Sequence, residues 1–161
     1  MLFQRAQSAA SFFDSSPPNT IRVRLEGFAM QRGIYYVPNG STVGSVIIMA
    51  LRSVPPSFGD EAILARLLCD GNVVRVWGDI SKQPVITLEM IPVQERMVLG
   101  IPLDPSILNE EEWELLPGIG PSLARKIVTD RQDNGAFRSF EDLLRVPGFG
   151  PATLEKIRRF F

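Results

Sequence analysis

A chain of 161 residues, 45% hydrophobic and 22% charged, has the usage of a packed globular protein, with room for one ordinary domain or two small ones. Its formal net charge of −1 argues against binding polyanions over its whole surface. With one cysteine and no histidine, an intrachain disulfide, the usual zinc sites and histidine-dependent catalysis are excluded.

The opening "MLFQRAQSAASFF" is broken by Arg5 and by polar residues, so it makes a poor signal peptide. No run approaches the eighteen or so apolar residues of a membrane-spanning helix. Residues 1–20 close on the Ser/Pro-rich stretch Ser15–Thr20 and read as a disordered lead-in. "IRVRLEG" (Ile21–Gly27) alternates apolar and charged residues, the period of a half-buried strand. "GIYYVPNG" (Gly33–Gly40) predicts a second strand closed by a turn. "STVGSVIIMALRS" (Ser41–Ser53) predicts a helix with Ser41 or Thr42 as cap and Val43, Val46, Ile47, Ala50 and Leu51 on one stripe. "VPPSFGD" reads as a loop, and "EAILARLL" (Glu61–Leu68) fits either a short helix or a strand. Two further strands are predicted at "VVRVWGDI" (Val73–Ile80) and "PVITLEMI" (Pro84–Ile91). A short helix and a Pro/Gly-punctuated linker follow in "IPVQERMVLGIPLDPS". Beyond it the strand signal stops, which sets domains at 21–99 and 100–161.

The pattern of the first domain is that of an α+β fold with a small sheet. The stretch "VRLEGFAMQRGIYYVPNGSTVGSVI" and the later "LLCDGNVVRV" resemble the soluble ligand-binding β-grasp (SLBB) family. That resemblance implies a β-grasp-like sheet wrapped over one helix. The double glycine frequent after the helix in that family is replaced here by "MALRSVPP".

The second domain contains a repeat. "LLPGIGPSLARKI" (Leu115–Ile127) and "RVPGFGPATLEKI" (Arg145–Ile157) match at Pro117/Pro147, Gly118/Gly148, Gly120/Gly150, Pro121/Pro151, Lys126/Lys156 and Ile127/Ile157. The fixed offset marks an internal duplication. Each copy predicts a short helix, over Asn109–Leu116 and Ser139–Val146, then a tight turn and a second helix. Asn109 with Glu112 forms a capping box, and Ser139 with Asp142 a weaker one. The glycines strip side chains from the turn, and Pro121 and Pro151 suit the first helical position. Leu123, Ala124, Ile127 and Val128 are expected to face inward, and Ser122, Arg125, Lys126 and Thr129 outward. Such a turn aims free amide N–H groups at one spot, backed by the helix dipole, and that spot suits a phosphate.

"LLPGIGPSLARKI" fits the helix-hairpin-helix pattern, and residues 107–161 resemble the tandem repeat of the competence protein ComEA family. The shared features are "LPGIGP", the "RQDNGAF" linker (Arg131–Phe137), the Ser-Phe-Glu-Asp-Leu segment and the second hairpin. The resemblance implies an all-α tandem helix-hairpin-helix (HhH)2 domain after the α+β one, acting as a DNA receptor in natural transformation, usually exported and membrane-anchored. Phosphate contacts are then expected at Gly118, Ile119, Gly120, Ser122, Leu123, Arg125 and Lys126, and at Gly148, Phe149, Gly150, Ala152, Thr153 and Lys156. The resemblance also implies a monovalent cation on the carbonyls of Leu116 and Ile119. The family's small alanine is Leu154 in the second copy, which predicts looser packing there. The family's opening motif has no match in "LDPSILNEE".

The expected partner is double-stranded DNA, bound without reading base identity, and no cofactor or enzymatic activity is expected. From Leu115 onward, eight Lys/Arg stand against five Asp/Glu, so Arg125, Lys126, Lys156, Arg158 and Arg159 are candidates for a positive face. The competing reading is a β-grasp module that binds a ligand or protein, with the helical repeat as an adaptor. Trp113, Phe137 and Phe140 are expected in the core, Trp77 under the sheet, and Cys69 as a small buried hydrophobe.

Overall fold

Alternating polarity organises the first half of the chain into a sheet. In a computed structural model, which describes residues 4–5, 17–27, 31–51, 60–78 and 84–161, the strands are β1 (Gln4–Arg5), β2 (Thr20–Gly27), β3 (Gly33–Pro38), β4 (Asn72–Trp77) and β5 (Val85–Met90). Their spatial order is β1-β3-β2-β4-β5. β2 and β3 form an antiparallel hairpin, β4 runs parallel to β2, and β5 is antiparallel to β4. The parallel pair requires a crossover, and helix α1 (Val43–Leu51) lies in that connection with the one-turn helix α2 (Glu61–Leu64). Thr42 caps α1 through its hydroxyl, which accepts the Ser45 amide at 3.2 Å.

One face of the sheet carries Val23, Leu25, Val37 and Val74, packed with Val43, Val46 and Ile47 of α1, all fully buried. The opposite face is charged. Glu26 is buried there and accepts from Arg75 Nε at 2.7 Å. That hydrogen bond holds the Glu26 carboxyl below its ordinary pKa against the opposing effect of burial. Arg75 also pairs with Glu89 across the strands.

The chain divides into two compact units, Met1–Pro92 and Val93–Phe161. The expected boundary at 99/100 therefore moves back to 92/93. The reason is packing: in helix α3 (Val93–Leu99), Val93 belongs to the second core and Met97 packs against it. The lead-in expected over 1–20 already contains strand β1, paired with Tyr35 and Tyr36, and the first residue of β2. Most of that lead-in and of the loop at "VPPSFGD" lies outside the described residues. The strand expected to reach Ile80 ends at Trp77, where Gly78 turns the backbone to φ 91°. Trp77, on the charged face of the sheet, is 47% exposed instead of packed beneath it, and Cys69 is exposed as well.

The described residues of the second unit contain helices and turns and no strand. After α3 come α4 (Glu110–Glu114), α5 (Pro121–Asn134), a 3₁₀ segment (Phe140–Arg145), α6 (Pro151–Ile157) and a closing 3₁₀ turn (Arg158–Phe160). The helix predicted at Ser139–Val146 is thus a tighter 3₁₀ segment. The core repeats with the sequence: Trp113, Leu116, Ile119, Ala124 and Ile127 are buried, as are their counterparts Leu143, Val146, Phe149, Leu154 and Ile157. Phe161 stacks on Trp113 at 5.7 Å between ring centroids, and the Leu103 amide donates to the Phe160 carbonyl at 2.7 Å.

Candidate nucleic-acid interface

Each copy begins with a capped turn. The Asn109 side chain accepts the Glu112 amide at 2.9 Å, and the Glu112 carboxylate accepts the Asn109 amide at 2.9 Å. In the second copy the Asp142 carboxylate accepts the amides of Arg138 at 2.7 Å and Ser139 at 3.1 Å. These bonds, that from Arg138 foremost, lower the Asp142 pKa.

The hairpins close alike. The Ile119 amide donates to the Leu116 carbonyl at 3.2 Å, and the Phe149 amide to the Val146 carbonyl at 2.9 Å. Leu116, Ile119, Val146 and Phe149 all bury their side chains, so both turns are pinned to the core. Between the anchors, Gly118 at φ 88° and Gly148 at φ 94° occupy left-handed backbone that a side chain would strain. Gly120 and Gly150 are the helix caps, at φ −101° and −108°, and no side chain caps either helix. A Cβ added at either cap would meet no atom within 4 Å.

The consequence is a set of spare donors. Among the described residues, no intramolecular partner is found for the amides of Gly118, Gly120 and Ser122, or of Gly148, Gly150 and Ala152. Leu123 and Thr153 differ: their amides donate to the carbonyls of Gly120 and Gly150 at 3.0 Å. The residues between the anchors are exposed apart from half-buried Gly150.

The two copies also touch reciprocally. A Cβ at Gly148 would lie 3.7 Å from Lys126 Nζ, and a Cβ at Gly118 would lie 3.7 Å from Lys156 Cδ. A groove of about 630 Å³ runs beside this contact, lined by Ser122, Arg125, Lys126 and Thr129 of α5 and by Pro147 of the second hairpin.

Residues 109–161 match the family model of the helix-hairpin-helix motif. Over 86% of its length the chain is 29% identical to ComE operon protein 1 of Bacillus subtilis (strain 168), and the match spans 68% of that protein. The chain is a ComEA-like helix-hairpin-helix protein. It is also 29% identical to an uncharacterized protein of Haemophilus influenzae over 71% of this chain and 90% of that one. Similarity to the human endonuclease/exonuclease/phosphatase family domain-containing protein 1, at 39% identity, is confined to 35% of this chain and 10% of that protein.

The positive face expected of this helix-hairpin-helix protein is thinner than its arginine count implies. Arg158 bonds to Glu155 at 3.1 Å and reaches Glu141 at 3.3 Å, Arg125 approaches Glu110 at 3.6 Å, and Arg159 lies over the Phe160 ring at 4.7 Å. Lys126 and Lys156 are exposed, with no ion-pair partner among the described residues. The packing expected to loosen at Leu154 does not: Leu154 is as buried as the core around it, because the turn seats the larger side chain. The "RQDNGAF" linker is structural. Arg131 donates to the Leu108 carbonyl at 2.9 Å, and Phe137 is buried beneath the Arg145 guanidinium at 4.6 Å. Sequence reasoning missed the reciprocal placement of the lysines, because contacts between copies leave no mark within either copy.

Proposed function

We propose that this protein binds double-stranded DNA without regard to sequence, through the backbone amides of a tandem helix-hairpin-helix unit, in DNA uptake of the ComEA kind. The observation that carries the reading is the duplicated set of spare amides at Gly118, Gly120 and Ser122 and at Gly148, Gly150 and Ala152. Each set is flanked by buried anchors and open to solvent. A charge-assisted hydrogen bond to such a donor contributes about 1.5–3 kcal/mol. Two sets, one per copy, suit one phosphate on each strand, and phosphate contacts carry no base identity. Ile119 and Phe149 act as anchors, and Leu123 and Thr153 as the helix turn behind the donors. Lys126 and Lys156 supply charge. The Leu116 carbonyl already accepts one amide and keeps a second lone pair, which together with the Ile119 carbonyl is available to a monovalent cation. The hairpin, crossover helix and parallel β2–β4 pair support a β-grasp reading of the first unit.

The test is a salt titration of the full chain with two duplexes of unrelated sequence. Equal affinities that fall together as salt rises support the reading. Failure to bind either duplex at low salt rejects it. A second reading, a ligand- or protein-binding first unit, is favoured by the cross-strand pair Trp77 and Val85, exposed at 47% and 61%. If DNA affinity depends on Trp77, the second reading gains.

A further inference from the structure

Resting on the DNA-binding reading above, we propose that the lysines are exchanged between the copies: Lys156 serves the phosphate held at the Gly118 turn, and Lys126 the phosphate held at the Gly148 turn. The reciprocal approach is the ground. Lys126 Nζ stands 3.7 Å from the place a Cβ would take at Gly148, and the Lys156 side chain stands equally close to Gly118. Along its own helix, Lys126 follows the Gly120 cap by six residues, about 9 Å of axial rise. Two further observations point the same way. Both lysines are exposed without an ion-pair partner among the described residues, while Arg125, Arg145 and Arg158 face carboxylates at 3.6, 2.6 and 3.1 Å. The groove beside the contact is itself built from both copies, α5 on one side and Pro147 on the other. Its acidic members, Asp130 and Asp133, follow Lys126 along α5, and Asp130 is neutralised by Arg145, which leaves the Ser122–Lys126 end to an anion.

The consequence is that neither hairpin is a complete site. Each phosphate is held by amides from one copy and an ammonium from the other, so a lone copy would grip weakly and the two strands of the duplex are held interdependently.

A double-mutant cycle on the full chain tests this, with a 20-base-pair duplex followed by fluorescence anisotropy at low salt. Gly120→Ser and Gly150→Ser remove donors by giving each helix a side-chain cap, and they leave the fold at least as stable. Lys126→Gln and Lys156→Gln remove charge at exposed positions. Each single change is expected to weaken binding about 5-fold or more, and each lysine change to lower the salt slope by about 1. In the exchanged pairs, Gly120→Ser with Lys156→Gln and Gly150→Ser with Lys126→Gln, the combined loss is expected to fall well short of the product of the singles. In the same-copy pairs it is expected to equal the product. Product behaviour in the exchanged pairs, or a shortfall confined to same-copy pairs, overturns the exchange while leaving DNA binding intact. A wild-type chain that binds no duplex removes both.

Discussion

Gly120 shows at a single residue how function departs from stability. Its φ of −101° is available to any amino acid, and the space around a Cβ there is open. An aspartate at this cap would satisfy the amides that glycine leaves bare and complement the helix dipole. Gly120→Asp is therefore expected to stabilise the second unit by about 0.5–1 kcal/mol and to weaken DNA binding more than 10-fold. Thermal denaturation and anisotropy on the same preparation check both halves. A variant that is stabilised yet binds unchanged would show that these amides do not face the phosphate. Gly118 carries a different constraint. Its φ of 88° makes a side chain costly at the backbone itself, so a substitution there confounds stability with binding.

Among the elements, the 3₁₀ segment Phe140–Arg145 depends on its acidic cap. The Asp142 carboxylate accepts two backbone amides, which hold its pKa below the usual aspartate range. A carboxyl with a depressed folded pKa contributes stability above its unfolded value and loses it as pH falls through the folded one. Asp142→Asn is thus expected to melt lower than the wild type at pH 7, with the gap closing as pH falls below about 4. A gap that persists unchanged at about pH 2 would contradict this. The closing turn is a second case. Phe161 stacks on Trp113 and lies 5.0 Å from the Phe140 ring. Phe161→Ala is expected to cost about 2–3 kcal/mol in denaturant unfolding of the second unit, less than for a fully buried phenylalanine.

For the whole molecule, two separate cores imply two folding units. A fragment of residues 93–161 is expected to fold cooperatively, with α3 included because Val93 belongs to its core. Starting the fragment at residue 100 is expected to lower its melting temperature by several degrees through loss of the Val93 and Met97 packing. Under the proposed function, the 93–161 fragment retains DNA affinity within a few-fold of the full chain. The whole chain carries a net charge of −1, so its DNA affinity must come from local charge and backbone dipoles. With two lysines as the unpaired cations at the interface, a shallow salt slope of about −2 is expected, measured as log K against log salt. A much steeper slope would implicate the arginines now engaged with carboxylates.

The duplicated hairpin was legible in the linear chain because it is a local device. Glycine spacing, proline at the first helical position and the Asn109–Glu112 capping box act within a few residues of one another, and alternation in Ile21–Gly27 likewise named its strand. The anchors of each turn could be read the same way, since the apolar positions repeat between copies. Long-range packing controlled the rest. It assigned Val93–Leu99 to the second core, left Trp77 exposed on a charged sheet face, tied the Leu123 and Thr153 amides into their helices, and placed Lys126 and Lys156 against the opposite copy's glycines. A linear pattern records the period of an element, whereas the partner across a fold is set by how two elements pack.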